Sequence, residues 1–196
     1  WKMARPQDKI TLLPMSDGGD GFGPLIGKLL GAQNRQITTV NAAHQPIKSR
    51  WWLDPKNHNA VIESANIIGL AMLPPGKFHP FDIDTYGLGK VLQRVSTTGA
   101  TRCIIGIGGS ATNDGGFGMA QALGWRFLKH DRNEIERWPD LASLHEIQPP
   151  NQRLPLSKLT VAVDVMNPML GQNGASHVYG LQKGLESTDI PLAEAA

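Results

Sequence analysis

The chain has 196 residues, with 19 Lys and Arg against 17 Asp and Glu, 22 Gly, 14 Pro and a single Cys. One cysteine excludes an internal disulfide and thiolate metal clusters, and this length buries a core without such staples. The charge of +2 is dispersed; no basic run suggests nucleic-acid binding, and no apolar stretch reaches the ~20 residues that span a bilayer. Residues 1–6 (WKMARP) lack the apolar h-region of a signal peptide. Glycine is in excess, at about 11% against a usual ~7%, and it clusters beside acidic residues.

In chain order, residues 9–13 read as a short strand, and a glycine-acid loop follows at 15–21 (MSDGGDG). Residues 24–30 have helical spacing and stop at Gly31. Segments 36–41, 47–53 and 60–63 are short, β-rich and separated by turn residues, which predicts an antiparallel meander. Trp51 and Trp52 are adjacent and so point to opposite faces, leaving at least one partly exposed. Residues 66–73 predict a short helix ended by Pro74-Pro75-Gly76, and 88–97 a longer one with Leu88, Val91, Leu92 and Val95 on one face.

Residues 101–107 form a continuous apolar run, typical of a strand covered on both faces. The loop 108–116 (GGSATNDGG) then precedes a helix over 117–123. A strand at 125–127, a short helix at 139–147 and a turn-rich link at 149–155 lead to a second buried strand, 159–163. The pattern fades after Lys183, and residues 193–196 end without a cap. The fold class is α/β with an antiparallel part; the tentative division is 1–33, a strand–loop–helix piece, and 34–196, the remainder.

One pattern occurs three times: an apolar strand, then a loop carrying glycine and Asp17, Asp114 or Asp164. Ligands of open α/β sheets sit beyond the carboxyl ends of the strands, where glycines expose backbone N–H groups. An acid in such a loop repels phosphate unless Mg²⁺ bridges the two. The bland reading is that Asp and Gly are common in turns, and three equivalent loops weigh against it.

Two other motifs compete. Gly106-Ile107-Gly108-Gly109-Ser110-Ala111 fits the dinucleotide turn, and Tyr86 and Lys90 have the spacing of short-chain dehydrogenases. Their order is wrong, and Asp114-Gly115-Gly116 interrupts the helix such a turn requires. No P-loop motif is present. Cys103 reads as a packed thiol, Ser110 lacks a nucleophile-elbow frame, and the six His show no ligand spacing. Lys183 reads equally as a surface lysine or a phosphate-binding one.

Residues 14–21 (PMSDGGDG), 63–65 (ESA), 106–118 (GIGGSATNDGGFG), 164–168 (DVMNP) and 179–184 (YGLQKG) resemble, in order, motifs of the bacterial glycerate kinases. The resemblance implies Mg²⁺-dependent transfer of the ATP γ-phosphoryl group to a hydroxyl of D-glycerate, in the cytoplasm. It implies a flavodoxin-like domain with an inserted α/β domain and the site between them, this chain being the middle of that architecture without its opening segment or C-terminal part. Phe22 stands where the family has Thr, and Lys90 where it prefers Glu.

On this reading Gly108, Gly109, Ser110, Thr112 and Asn113 cradle phosphate oxygens, and Asp17, Gly18 and Gly19 close the site. Asp114 and Asp164 are the Mg²⁺ ligand and the acceptor of the glycerate hydroxyl proton, in either order. Lys183 offsets charge on the γ-phosphate or the glycerate carboxylate. The partner is a small molecule, with a homo-oligomer as an allowed state. The rival classes are an NAD(P)-dependent oxidoreductase and a non-catalytic nucleotide-binding fragment.

Overall fold

The computed structural model describes residues 1–196. Five strands form one sheet in the order β1-β2-β3-β4-β7: β1 Gln33–Val40, β2 Pro46–Asp54, β3 Asn59–Glu63, β4 Arg102–Gly106 and β7 Lys158–Ala162. β1, β2 and β3 pair antiparallel, as the meander predicts, whereas β3, β4 and β7 run parallel. A two-stranded hairpin of β5 Arg126–Leu128 and β6 Glu146–Gln148 stands apart.

Strand alternation sorts the core into two layers. Trp51, Leu53, Ala60, Ile62, Cys103 and Ile105 face one side. There they pack on Ile67 and Ile68 of α2 (Ala65–Ile68) and on Leu88, Val91, Leu92 and Val95 of α3 (Tyr86–Ser96). α4, Phe117–Ala122, lies against α3. Trp52 and Val61 face the other side and meet Phe22 of α1, Phe22–Leu29. Gly23 makes that contact possible, because a Cβ there would lie 2.0 Å from the Trp52 ring. A further cluster joins Phe117, Ile135 and Trp138 to Leu185 and to α6, Ile190–Ala195, which follows α5, Ala175–Lys183.

Several expectations are corrected. Both tryptophans are buried, Trp51 at 3% and Trp52 at 6% exposure, because helices cover both faces of the sheet. Residues 9–13 form no strand: Leu12 and Leu13 are exposed and pair with nothing. The end of the segment predicted as a helix over 139–147 is strand β6, reached after a 3-10 turn at Trp138–Ser143. β7 is an edge strand, with Leu159 46% and Val161 49% exposed, so it is not buried. The end of the chain is helical: α6 follows Asp189 with Pro191 in its first turn, and Ile190 and Ala193 anchor it by packing. No helix is long and apolar enough to cross a membrane.

Candidate active site

The parallel strands end in register, with Glu63 beside Gly106 and Gly106 beside Ala162. The 108–116 loop and Asp164 follow this row closely in the chain. The first glycine-acid loop docks here although no strand precedes it: Gly108 donates its N–H to the Gly18 carbonyl at 3.0 Å. Gly18 has φ +93°, and a Cβ on it would lie 2.5 Å from the Ala162 carbonyl oxygen. Only glycine allows that approach. Glu63, buried, fixes the loop from the other side, accepting from Gly21 N at 3.2 Å and Gly23 N at 2.7 Å. The acid at the end of β3 therefore serves the exposed amides of the first turn of α1.

The loop between β4 and α4 is pinned to α2 and the turn after it. Leu70 N donates to Gly109 O and Ala111 N to Ile68 O, at 2.9 and 2.8 Å. Around these pins, the N–H groups of Gly109, Ser110, Thr112 and Asn113 donate to no protein acceptor. They are available to an anion. Asn113 Nδ2 reaches Ser176 Oγ at 3.1 Å, tying the loop to the start of α5.

A cavity of about 570 Å³ opens beside the loop. Ser110, Thr112, Asn113, Asp114 and Lys183 all line it, so the structure brings together five residues spread over 74 positions of sequence (110 to 183). Asp114 is 4% exposed. Its Oδ2 accepts from Thr85 N, Thr85 Oγ1 and Gly118 N at 2.9, 2.7 and 2.9 Å. Its Oδ1 meets only Gly116 N, at 3.4 Å, and is the oxygen left for a proton or a cation. Burial pushes the Asp114 carboxyl above the usual carboxylate range, with the hydrogen bonds from Gly118 and Thr85 opposing it. Lys183 donates to the Thr112 carbonyl at 2.5 Å; burial lowers its pKa and the charge of Asp114 partly restores it.

The remaining predicted residues lie outside the cavity. Asp17 is exposed and accepts from Gly19 N at 2.9 Å, forming a local turn. Asp164 is exposed, two residues beyond β7, and does not join Asp114 in the cavity wall. No three His, Cys, Asp or Glu side chains gather as a metal cage. Mg²⁺ held mainly by phosphate oxygens and water would need only one or two carboxylates, and either Asp164 or Asp114 Oδ1 would supply one. The Gly106–Ala111 segment lacks the geometry of a dinucleotide turn, because residues 107–116 separate β4 from α4.

Sequence reasoning missed Glu63, Thr85 and Ser176 as site-building residues. Their partners lie between 29 and 63 positions away, beyond the reach of motif spacing. The signals for Glu63 were its place at the end of the apolar run Ala60-Val61-Ile62 and the matching 63–65 segment, neither of which assigned it a role.

The model for the glycerate kinase family matches residues 1–196. Among curated relatives, a glycerate kinase of Bacillus subtilis (strain 168) is 40% identical over 94% of this chain and 49% of its own length. A glycerate kinase of Halalkalibacterium halodurans is 38% identical (94% and 50%). A glycerate 2-kinase of Escherichia coli (strain K12) is 37% identical (94% and 49%). A crystal structure from Salmonella typhimurium LT2, provisionally named glycerate kinase 2, superposes with TM-score 0.86 at 32% identity, over 98% of this chain and 53% of that one. The chain spans about half the length of the curated relatives it matches.

Proposed function

The chain belongs to the glycerate kinase family, and from that premise we propose that it carries the phosphate- and acceptor-binding part of an ATP-dependent kinase acting on D-glycerate. The observation that carries this reading is the set of unspent amides of Gly109, Ser110, Thr112 and Asn113 beside a cavity lined by Lys183 and Asp114. Phosphoryl transfer asks for positioning and charge neutralisation more than covalent chemistry, and this loop supplies donors already held in place.

In the proposed reaction the Gly109, Ser110, Thr112 and Asn113 amides and the Ser110 and Thr112 hydroxyls bind phosphate oxygens. Gly18, Gly19 and Gly108 keep the adjoining backbone close, and Asp17 stabilises the turn that presents them. Asp114 Oδ1 accepts the proton of the glycerate hydroxyl, a role suited to a carboxyl held above its ordinary range. Lys183 Nζ sits where it can offset phosphate or carboxylate charge. Asp164, with Asp114 as the second candidate, would hold Mg²⁺, whose contribution is to neutralise charge on the phosphates. The same reading places the enzyme in the cytoplasm, with ATP and a small hydroxy acid as substrates.

A coupled ADP-release assay with D-glycerate and Mg·ATP tests this on the chain and on the intact native polypeptide. ADP release from the intact polypeptide is expected, and Asp114→Asn should lower turnover at least ~100-fold. Near-normal turnover of that variant would reject the role given to Asp114.

A further inference from the structure

Strand β7 borders the cavity with one apolar face uncovered. Leu159 lies in register beside Cys103, and Val161 beside Ile105. Paired residues share a face of the sheet, so Leu159 and Val161 continue the layer that Cys103 and Ile105 present to α2 and α3. On β4 that layer is buried, whereas on β7 Leu159 and Val161 are 46% and 49% exposed. Both line the cavity, as do Met169 and Leu170 of the segment after β7, which are exposed as well.

The polar side chains of the cavity are gathered elsewhere in it. Those within 110–114 form one stretch of loop, and Thr85, Ser176 and Lys183 are hydrogen-bonded to that stretch. Ser64 is sealed at 0% exposure, and the Trp138 ring nitrogen is spent on the Pro80 carbonyl at 3.2 Å. No side-chain donor or acceptor therefore accompanies Leu159 and Val161. A volume of about 570 Å³ suits a ligand larger than the acceptor, within the ~300–1,000 Å³ of sites for drug-sized molecules. D-Glycerate carries an oxygen on every carbon and would lose its hydration against these side chains without compensation. A nucleotide is divided as the cavity is, with charged phosphates at one end and a flat aromatic base at the other.

We propose that the base of the phosphoryl donor lies on Leu159 and Val161, held by apolar contact, so that the site accepts nucleoside triphosphates with little regard to their base. The proposal rests on the kinase reading above. Rejection by ~10⁴-fold or more needs buried polar groups that the wrong ligand leaves unpaired, whereas an apolar wall separates ligands by only ~10–200-fold.

The test uses the intact native polypeptide, with D-glycerate as acceptor and ATP, GTP, CTP and UTP as donors. Their kcat/KM values should differ by less than about a hundredfold, and a wider spread would overturn the proposal. Val161→Asn should raise the KM of ATP at least about fivefold and leave that of D-glycerate within about twofold. Inorganic tripolyphosphate, which has the phosphates and no base, should act equally on wild type and variant. An unchanged KM of ATP, a parallel rise for D-glycerate, or an altered response to tripolyphosphate would overturn the proposal. An unchanged KM of ATP with a lower melting temperature would assign Val161 instead to packing against another part of the polypeptide. If the wild type releases no ADP with D-glycerate and Mg·ATP, the kinase reading fails. Calorimetric titration of ATP then decides: binding by wild type that Val161→Asn weakens at least about fivefold supports the contact with the base, and any other pair of results overturns it.

Discussion

Thr85 holds Asp114 twice, through its amide at 2.9 Å and its hydroxyl at 2.7 Å, both on Oδ2. The same hydroxyl accepts from Met119 N at 2.8 Å, so one side chain sets both the carboxylate and the first turn of α4. With Oδ2 occupied, Oδ1 keeps only the long contact from Gly116 N at 3.4 Å.

Replacing Thr85 by Val keeps the shape and removes the hydroxyl. The Met119 N–H then has no partner and Asp114 loses one donor, which costs about 1–3 kcal/mol. A fall of ~2–4 °C in melting temperature per kcal/mol is expected at this size. Because the lost bond favoured the carboxylate, the Asp114 pKa rises further, and the acid limb of the pH–rate profile moves to higher pH. An unmoved limb would show that Asp114 is not the group titrating in turnover.

The glycine-acid loop is expected to be equally intolerant at one position. Gly18→Ala places a methyl 2.5 Å from the Ala162 carbonyl oxygen on a backbone at φ +93°. Strain of this kind costs about 1–3 kcal/mol. Urea unfolding that shows no loss of stability would refute the packing described between Gly18 and β7.

His44 supplies a second pH signature through Asp84, the neighbour of Thr85. Its ring nitrogen lies 2.9 Å from Asp84 Oδ2, and that hydrogen bond holds its pKa above the ordinary 6.5. The folded state therefore binds the proton more tightly than the unfolded one. The stabilisation is complete below 6.5 and disappears as pH rises through the folded pKa. His44→Gln should cost stability at about pH 5.5 and almost none at about pH 9. The imidazole is half exposed, so the difference should stay below about 1 kcal/mol. Equal destabilisation at both values would mean that the ring acts through packing alone.

Sequence pattern alone revealed the meander, helices α3 and α4, strand β4 and the glycine loop that follows it, because each is written in local periodicity and turn chemistry. The repeated loop pattern also drew attention to Asp114, and the family resemblance added Ser110, Thr112, Asn113 and Lys183; the fold gathers all five around one cavity. What it could not reveal depends on distant partners. The burial of Trp52 needs α1 on the far face of the sheet, and α6 needs a cluster supplied by Phe117 and Trp138. Glu63 finds its partners 40 and 42 positions upstream. The strand expected at 9–13 failed for the converse reason: an apolar run finds no neighbour to pair with.

The row formed by Glu63, Gly106 and Ala162 also sets an order of events in folding. The two strand junctions join segments far apart in sequence, and Gly18 closes onto Ala162 from the opposite part of the chain. Such distant closures are entropically expensive and slow, so local elements such as α3 and the β1–β2 pair precede them. A nascent chain that has not yet emerged through Ala162 can hold its meander, but its 108–116 loop has neither β7 beside it nor the Lys183 contact on Thr112. On the reading proposed above, the loop acquires its final surroundings late, and a ligand-dependent refolding phase would report that stage.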